Sequence, residues 1–304
     1  MSKIYSSSIR GLFALWIIFL SGLVHAQANG EKPLRVFLIG NSFSQNAGKY
    51  LPQLAKDGGF ALTLGRAELP GCPLKRHWEL VEAEENNDPK GKAYKGKSLK
   101  ELLSEGKWDI VTIQQASILS GDVNTYIPYA QNLYNYIKKI QPDAEVVIHQ
   151  TWAYRSDAPS FSQTGEGKYA QTDTEMWEKS RAAYHSVAAR LGIRIIPVGD
   201  AFHQLSAAER TAYKKDTSFI AGRAAKPRLP DQKNSLHVGY FYKKEKLEFD
   251  SHHANDAGCY LGGLVWYGFL FKSSPAELKF RPKTVDRRFA KQLRIAAAEV
   301  ITSQ

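Results

Sequence analysis

Leu34-Arg35-Val36-Phe37-Leu38-Ile39-Gly40-Asn41-Ser42-Phe43-Ser44 is the stretch that decides the fold. Five of its first six residues are apolar, and none of those six is glycine or proline. Such a run predicts a strand buried on both faces, as in a parallel sheet. Gly40 breaks the run, Asn41-Ser42 makes a polar turn, and Ala47 to Lys56 has helical composition. That order puts Ser42 at the carboxyl end of a strand, where open α/β sheets hold their sites. A helix N-terminus beside it offers free N–H groups. Both features suit a nucleophile that must stabilise an oxyanion. A plainer reading stays open, in which Ser42 or Ser44 only caps the helix.

A second stretch bears on that choice: Phe249-Asp250-Ser251-His252-His253-Ala254-Asn255-Asp256-Ala257-Gly258. Asp250 stands three residues before His253, just ahead of a helical run. Across a tight turn that step brings a carboxylate to the imidazole Nδ1–H and fixes its tautomer. His252 is the rival base.

With these two stretches the chain resembles the SGNH (GDSL-type) hydrolase superfamily. "IGNSFS" is similar to that family's first block, with Asn41 where many members carry Asp, and "DSHHAN" with Gly258 is similar to its last. The resemblance implies Ser42 as nucleophile, His253 as base and Asp250 as the orienting acid, with an oxyanion hole from the N–H groups of Ser42 and a second-block glycine. Gly71, in Leu69-Pro70-Gly71-Cys72-Pro73, is the match for that glycine; Gly65 and a plain turn remain alternatives. The family's third block usually supplies an Asn. Here the strand Trp108 to Ile113 runs into Gln114-Gln115 instead. A Gln offers the same carboxamide donors on one more methylene. Gln114 is the expected donor and Gln115 the second choice, because neighbours on a strand face opposite sides.

Outward from these blocks, strands are expected at 60–66, 108–113, 145–149 and 194–198, alternating with helices. The fold class is therefore α/β: a three-layer α/β/α, flavodoxin-like arrangement around a mostly parallel five-stranded sheet. Gln150-Thr151-Trp152-Ala153-Tyr154-Arg155 follows the fourth strand. Trp152 and Tyr154 suit the stacking of a sugar, and a core tryptophan with a polar rim is the alternative. His77 and Trp78 read as a partly buried pair. Asp200 reads as a helix cap, and residues 84–98 as a solvated surface insertion. Leu236 to Phe249 reads as a hairpin on the sheet edge. Thr284 to Thr302 reads as a last helix packed on the sheet.

Lys3 and Arg10 precede an uncharged run from Gly11 to Val24, and Val24-His25-Ala26 has the small-residue spacing of a cleavage site. Residues 1–26 are expected to be a secretory leader and 27–304 one catalytic domain, periplasmic or secreted. The 14-residue apolar run is short for a membrane span. The formal charge is +11, but the lysines are scattered and no nucleic-acid motif is present. No CxxC, HExxH or P-loop occurs, so neither metal nor cofactor is expected. Cys72 and Cys259 are the only cysteines, and in an exported chain a bridge between them is an open question. The partner is expected to be a small-molecule or carbohydrate ester, with neither nucleic acid nor stable membrane insertion. The expected function is an exported serine esterase. An O-acyltransferase or a catalytically weak carbohydrate-binding protein on the same fold are the alternatives.

Overall fold

The structure, a computed structural model, describes residues 32–303 together with Met1. But for Met1, the leader expected over 1–26 lies outside the described residues.

The elements follow one another as β1 (Leu34–Gly40), α1 (Ser42–Ala47), α2 (Leu51–Asp57), β2 (Leu62–Glu68), α3 (Leu74–Glu85) and α4 (Leu99–Leu103). Then come β3 (Ile110–Ile113), α5 (Tyr129–Ile140), β4 (Glu145–His149), β5 (Gln163–Gly165), β6 (Lys168–Tyr169) and α6 (Asp173–Leu191). The chain continues with β7 (Arg194–Ile196), α7 (Val198–Ala207), β8 (His237–Lys243), β9 (Lys246–Ala254), α8 (Asp256–Phe271) and α9 (Arg287–Thr302). Five strands form one sheet in the order β2-β1-β3-β4-β7, and every pairing in it is parallel.

Alternation along β1 shows how the layers are assembled. Val36 and Leu38 face a core shared with α1, α2, α7, α8 and α9. Phe37 and Ile39 face the opposite core, with residues of α3, α4, α5 and α6. A strand covered on both faces cannot alternate apolar with polar, which is why the run reads as continuously apolar. The three-layer α/β/α fold with a parallel five-stranded sheet follows directly. No helix among the described residues is long and apolar enough to cross a membrane.

Four expectations need correction. The hairpin β8–β9 is a separate two-stranded sheet, not an extension of the central one. The last helix packs chiefly on α8 and the turn Pro275–Glu277, with α7 beside them, so it forms an outer part of its layer. The insertion at 84–98 is tethered: the Tyr94 ring is buried, and its hydroxyl meets His77 Nδ1 at 2.7 Å. Asp200 lies inside α7 and accepts from Gln150 Nε2 at 2.9 Å and Trp177 Nε1 at 2.8 Å, so it is a cross-link rather than a cap.

Candidate active site

Ser42 is the first residue of α1, separated from the end of β1 by Asn41 alone. The cap belongs to Asn41, whose Oδ1 accepts the Phe43 N–H at 3.0 Å and whose Nδ2 donates to the Cys72 carbonyl at 3.1 Å. Ser44 Oγ lies 2.6 Å from Glu68 Oε1. The Ser42 hydroxyl is left for other work, and it meets His253 Nε2 at 2.9 Å. Gly40 is required by a close approach: a Cβ there would sit 2.6 Å from Ser44 Oγ and 3.0 Å from the Gln114 carboxamide. α1 has only six residues, so its dipole is small and individual N–H groups matter more.

Asp250 and His253 arrive on the outlying hairpin. The register of β8–β9 shifts between His237 and Gly239, and such an irregularity re-aims side chains. Asp250 Oδ2 receives the His253 Nδ1–H at 2.7 Å. Its Oδ1 accepts the backbone N–H groups of His252 and His253 at 3.1 and 3.0 Å. Burial alone would raise the Asp250 pKa. The hydrogen bonds from the His253 side chain and from both backbone N–H groups outweigh it, and they hold the carboxyl well below its usual range. With Nδ1 donating to an ionised Asp250, His253 Nε2 carries a lone pair and accepts the Ser42 O–H. Trp152 Nε1 donates to the His252 carbonyl at 2.9 Å, the Arg155 N–H to the Ser251 carbonyl at 2.8 Å and the Ala254 N–H to Asn46 Oδ1 at 3.1 Å. These three links tie the hairpin to the sheet domain. Asn255 caps α8 through the N–H groups of Ala257 and Gly258, which fixes where the strand ends after His253.

His252 points its Nδ1 at the same Asp250 carboxylate, at 3.1 Å, and its side chain is 42% exposed. Burial lowers its pKa first, the charge of His253 lowers it further, and Asp250 opposes both. Ser42 bonds to His253, not His252. The ligand atoms of Asp250, His252 and His253 lie within 4.8 Å of one another, as a metal site would need, but two of these residues are already engaged with each other and with Ser42.

The backbone N–H groups of Ser42 and Gly71 make no hydrogen bond among the described residues. Gly71 is exposed and has φ +60, a conformation that favours glycine. Gly65 lies within β2, paired with Phe37 and covered by Trp108, away from Ser42. Gln114 is buried over Gly40; its Nε2 donates to Asn41 Oδ1 at 2.7 Å, and its Oε1 lies 3.0 Å from His149 Nδ1. Gln115 is consumed structurally: its oxygen accepts from the Leu74 and Ala116 N–H groups, and its nitrogen donates to the Thr125 carbonyl.

Trp152 does not offer a face to a ligand. It is 1% exposed, with Phe202 stacked at 4.6 Å and Phe43 at 4.3 Å. Trp152 belongs to the buried core, and the stacking reading gives way to the core one. Tyr154 is 9% exposed, with its hydroxyl 3.0 Å from Ser117 Oγ. The two cysteines are separate, buried free thiols. Burial pushes the pKa of each up to about 12. Asn41, part of the polar turn expected at the end of the first strand, is the cap of α1; Asn46 and His149 carry no local sequence signature of their roles here.

A family model described as a domain of unknown function, DUF4886, matches residues 35–219. That range holds Ser42, Gly71 and Gln114 and stops short of Asp250 and His253. No curated protein matches the chain. Among solved structures, a DUF4886 family protein from Bacteroides uniformis is similar at 26% identity and TM-score 0.70, with 89% of this chain and 95% of that chain covered. A Slackia heliotrinireducens protein assigned as an SGNH hydrolase is 18% identical, with TM-score 0.43 and coverage of 77% and 97%. An acetyl xylan esterase is 13% identical, with TM-score 0.45 and coverage of 77% and 98%.

Proposed function

The chain belongs to the DUF4886 family, and we propose that it is a serine esterase working through Ser42, His253 and Asp250. The observation that carries this reading is the unbroken line Ser42 Oγ–His253 Nε2 at 2.9 Å and His253 Nδ1–Asp250 Oδ2 at 2.7 Å. It agrees with the chain's resemblance to the SGNH superfamily. His253 takes the hydroxyl proton as Ser42 Oγ attacks an ester carbonyl. The tetrahedral oxyanion accepts from the Ser42 and Gly71 N–H groups and from the Gln114 carboxamide. On collapse the alkoxide leaves with the proton from His253. Water then attacks the acyl-enzyme, with His253 again as base, and releases the acid. Asp250 stays ionised and stabilises the imidazolium.

The His253 side chain is 33% exposed. Water therefore reaches the base, which favours hydrolysis over transfer to a bound acceptor. Side chains around the three residues are polar or already engaged: Asn41, Gln114, His252 and the Ser117–Tyr154 pair. That set supports a small acyl group over a long alkyl chain. The buried Trp152 removes the stacking argument for carbohydrate, so acetylated sugars are the second screen and simple esters the first. We also propose export, on the leader-like pattern of residues 1–26.

The test is hydrolysis of an aryl acetate by the purified chain beside Ser42→Ala and His253→Ala, with folding checked by circular dichroism. Loss of turnover in both folded variants is expected. Turnover undiminished in Ser42→Ala would remove the assigned nucleophile.

A further inference from the structure

A hydrogen-bonded chain runs inward from the turn before Ser42, and its polarity can be assigned from the backbone outward. Asn41 is fixed at both ends by main-chain groups: its Oδ1 accepts the Phe43 N–H, and its Nδ2 donates to the Cys72 carbonyl. Asn41 Oδ1 can only accept, so Gln114 must present its nitrogen there, at 2.7 Å. The Gln114 oxygen then faces His149 Nδ1 at 3.0 Å. A carboxamide oxygen cannot donate, so His149 must carry its proton on Nδ1. No other arrangement of these three side chains leaves each donor facing an acceptor.

We infer that His149 is a positioning residue for the oxyanion donor: its Nδ1–H holds the Gln114 carboxamide in the one orientation that keeps an amide N–H available beside Ser42. This rests on the esterase reading for its catalytic consequence. The second N–H of Gln114 has no acceptor among the described residues, although Gln114 is 1% exposed. A buried donor left unpaired is uncommon and points to a ligand atom. Asn41 Oδ1 already disfavours a turned carboxamide, whose oxygen would face it and the developing oxyanion; without the His149 donor that is the one restraint left on the orientation among the described residues. His149 itself is wholly buried at the end of β4, its ring edge-on to Trp266 at 5.2 Å, and its Nε2 has no partner among the described residues. Burial lowers its pKa to about 3, so the ring is neutral and has one proton to place.

The first readout is independent of activity. In ¹⁵N-histidine-labelled protein, with His149→Phe identifying the resonance, His149 should show the Nδ1–H tautomer, neutral from pH 5 to 8. An Nε2–H tautomer overturns the inference, whatever the enzyme assay shows. The second readout is kinetic. His149→Phe should fold and lower kcat about tenfold to a hundredfold with KM close to that of the parent, part of the loss typical for one oxyanion donor. His149→Asn, which retains a donor near the Nδ1 position, should recover most of that loss. Gln114→Ala should cost less in the His149→Phe background than alone. Fully additive losses, or no recovery in His149→Asn, overturn it. A Ser42→Ala variant as active as the parent would instead defeat the esterase reading and leave the tautomer to decide this one.

Discussion

The two halves of the candidate site are built differently. The nucleophile corner sits on the central sheet. Asn41, Gln114, His149 and His77 around it are each 1% exposed or less, and their bonds run to backbone groups, to one another or, for His77, to the buried Tyr94 hydroxyl. The base corner sits on a hairpin outside that sheet, with His252 and His253 side chains 42% and 33% exposed. A few long-range bonds hold it in register. The nucleophile corner is thus part of what makes the chain fold, whereas the base corner is carried to the fold by contacts that could be cut singly. Changes to the charge chemistry of the hairpin should therefore be felt in rate, and changes to its anchors in both rate and stability.

The largest expected effect separates rate from stability most sharply. Asp250→Asn should leave the melting temperature within a few degrees of the parent and lower kcat by about 10⁴, as loss of the orienting carboxylate does in other triads. The Asn oxygen can still accept the His252 and His253 backbone N–H groups that Oδ1 accepts now. What it loses is the negative charge facing the imidazole. A folded Asp250→Asn variant with near-parental kcat in the aryl acetate assay would show that the carboxylate has no part in the reaction.

The second effect tests the anchors. Arg155 is 1% exposed and pairs with Asp157 at 2.6 Å, while its guanidinium also reaches Gln232 Oε1 at 2.8 Å. It packs over the rings of Tyr213 at 4.2 Å and Phe249 at 4.9 Å. Arg155 is therefore the point where the hairpin strand before Asp250 meets the segment after β4. Arg155→Met strands the Asp157 charge and should cost about 3–5 kcal/mol in urea unfolding. If the hairpin is an independent attachment, kcat should fall as well, because Asp250 and His253 lose their register with Ser42. A stable but inactive variant would fit a purely local anchor; an unchanged variant in both respects would break the comparison.

Much of this was legible in the sequence for identifiable reasons. Unbroken apolar runs such as Val36–Ile39 announce strands covered on both faces. Ser42 at the end of such a run and Asp250 three residues before His253 are local patterns, so the three side chains could be named together. What the sequence hid depends on contacts between distant segments. Leu236 to Phe249 shows a hairpin but not that it stands apart from the central sheet. Trp152 has the composition of a binding wall, and only the approach of Phe43 and Phe202 closes its faces. The two cysteines follow glycines near the site, yet their thiols turn to the carbonyls of Pro73 and Ala254 rather than to each other. The Gln114 orientation is set by His149, which lies 35 residues away and looks in sequence like the polar end of a strand.

Acid should act on both corners at once, with a smaller effect per group. His77 and His149 are wholly buried on the nucleophile side. His237, also buried, opens the hairpin and lies 2.9 Å from the Ala153 carbonyl. Burial lowers the pKa of His77 and His237 to about 4 and of His149 to about 3, against 6.5 for the unfolded chain. Because the folded values are depressed, the unfolded chain binds protons first. Stability is therefore complete above pH 6.5 and falls as the pH drops toward 4. Each histidine should withdraw about 1.4 kcal/mol at pH 5.5 relative to pH 7.5. Calorimetric melting at the two pH values checks the sign, and a melting temperature that held or rose on acidification would show that these rings are not buried neutral. His237→Gln, which can still donate toward Ala153, should remove about a third of the acid sensitivity. If it removes nearly all, the hairpin and not the sheet is the part that acid releases first.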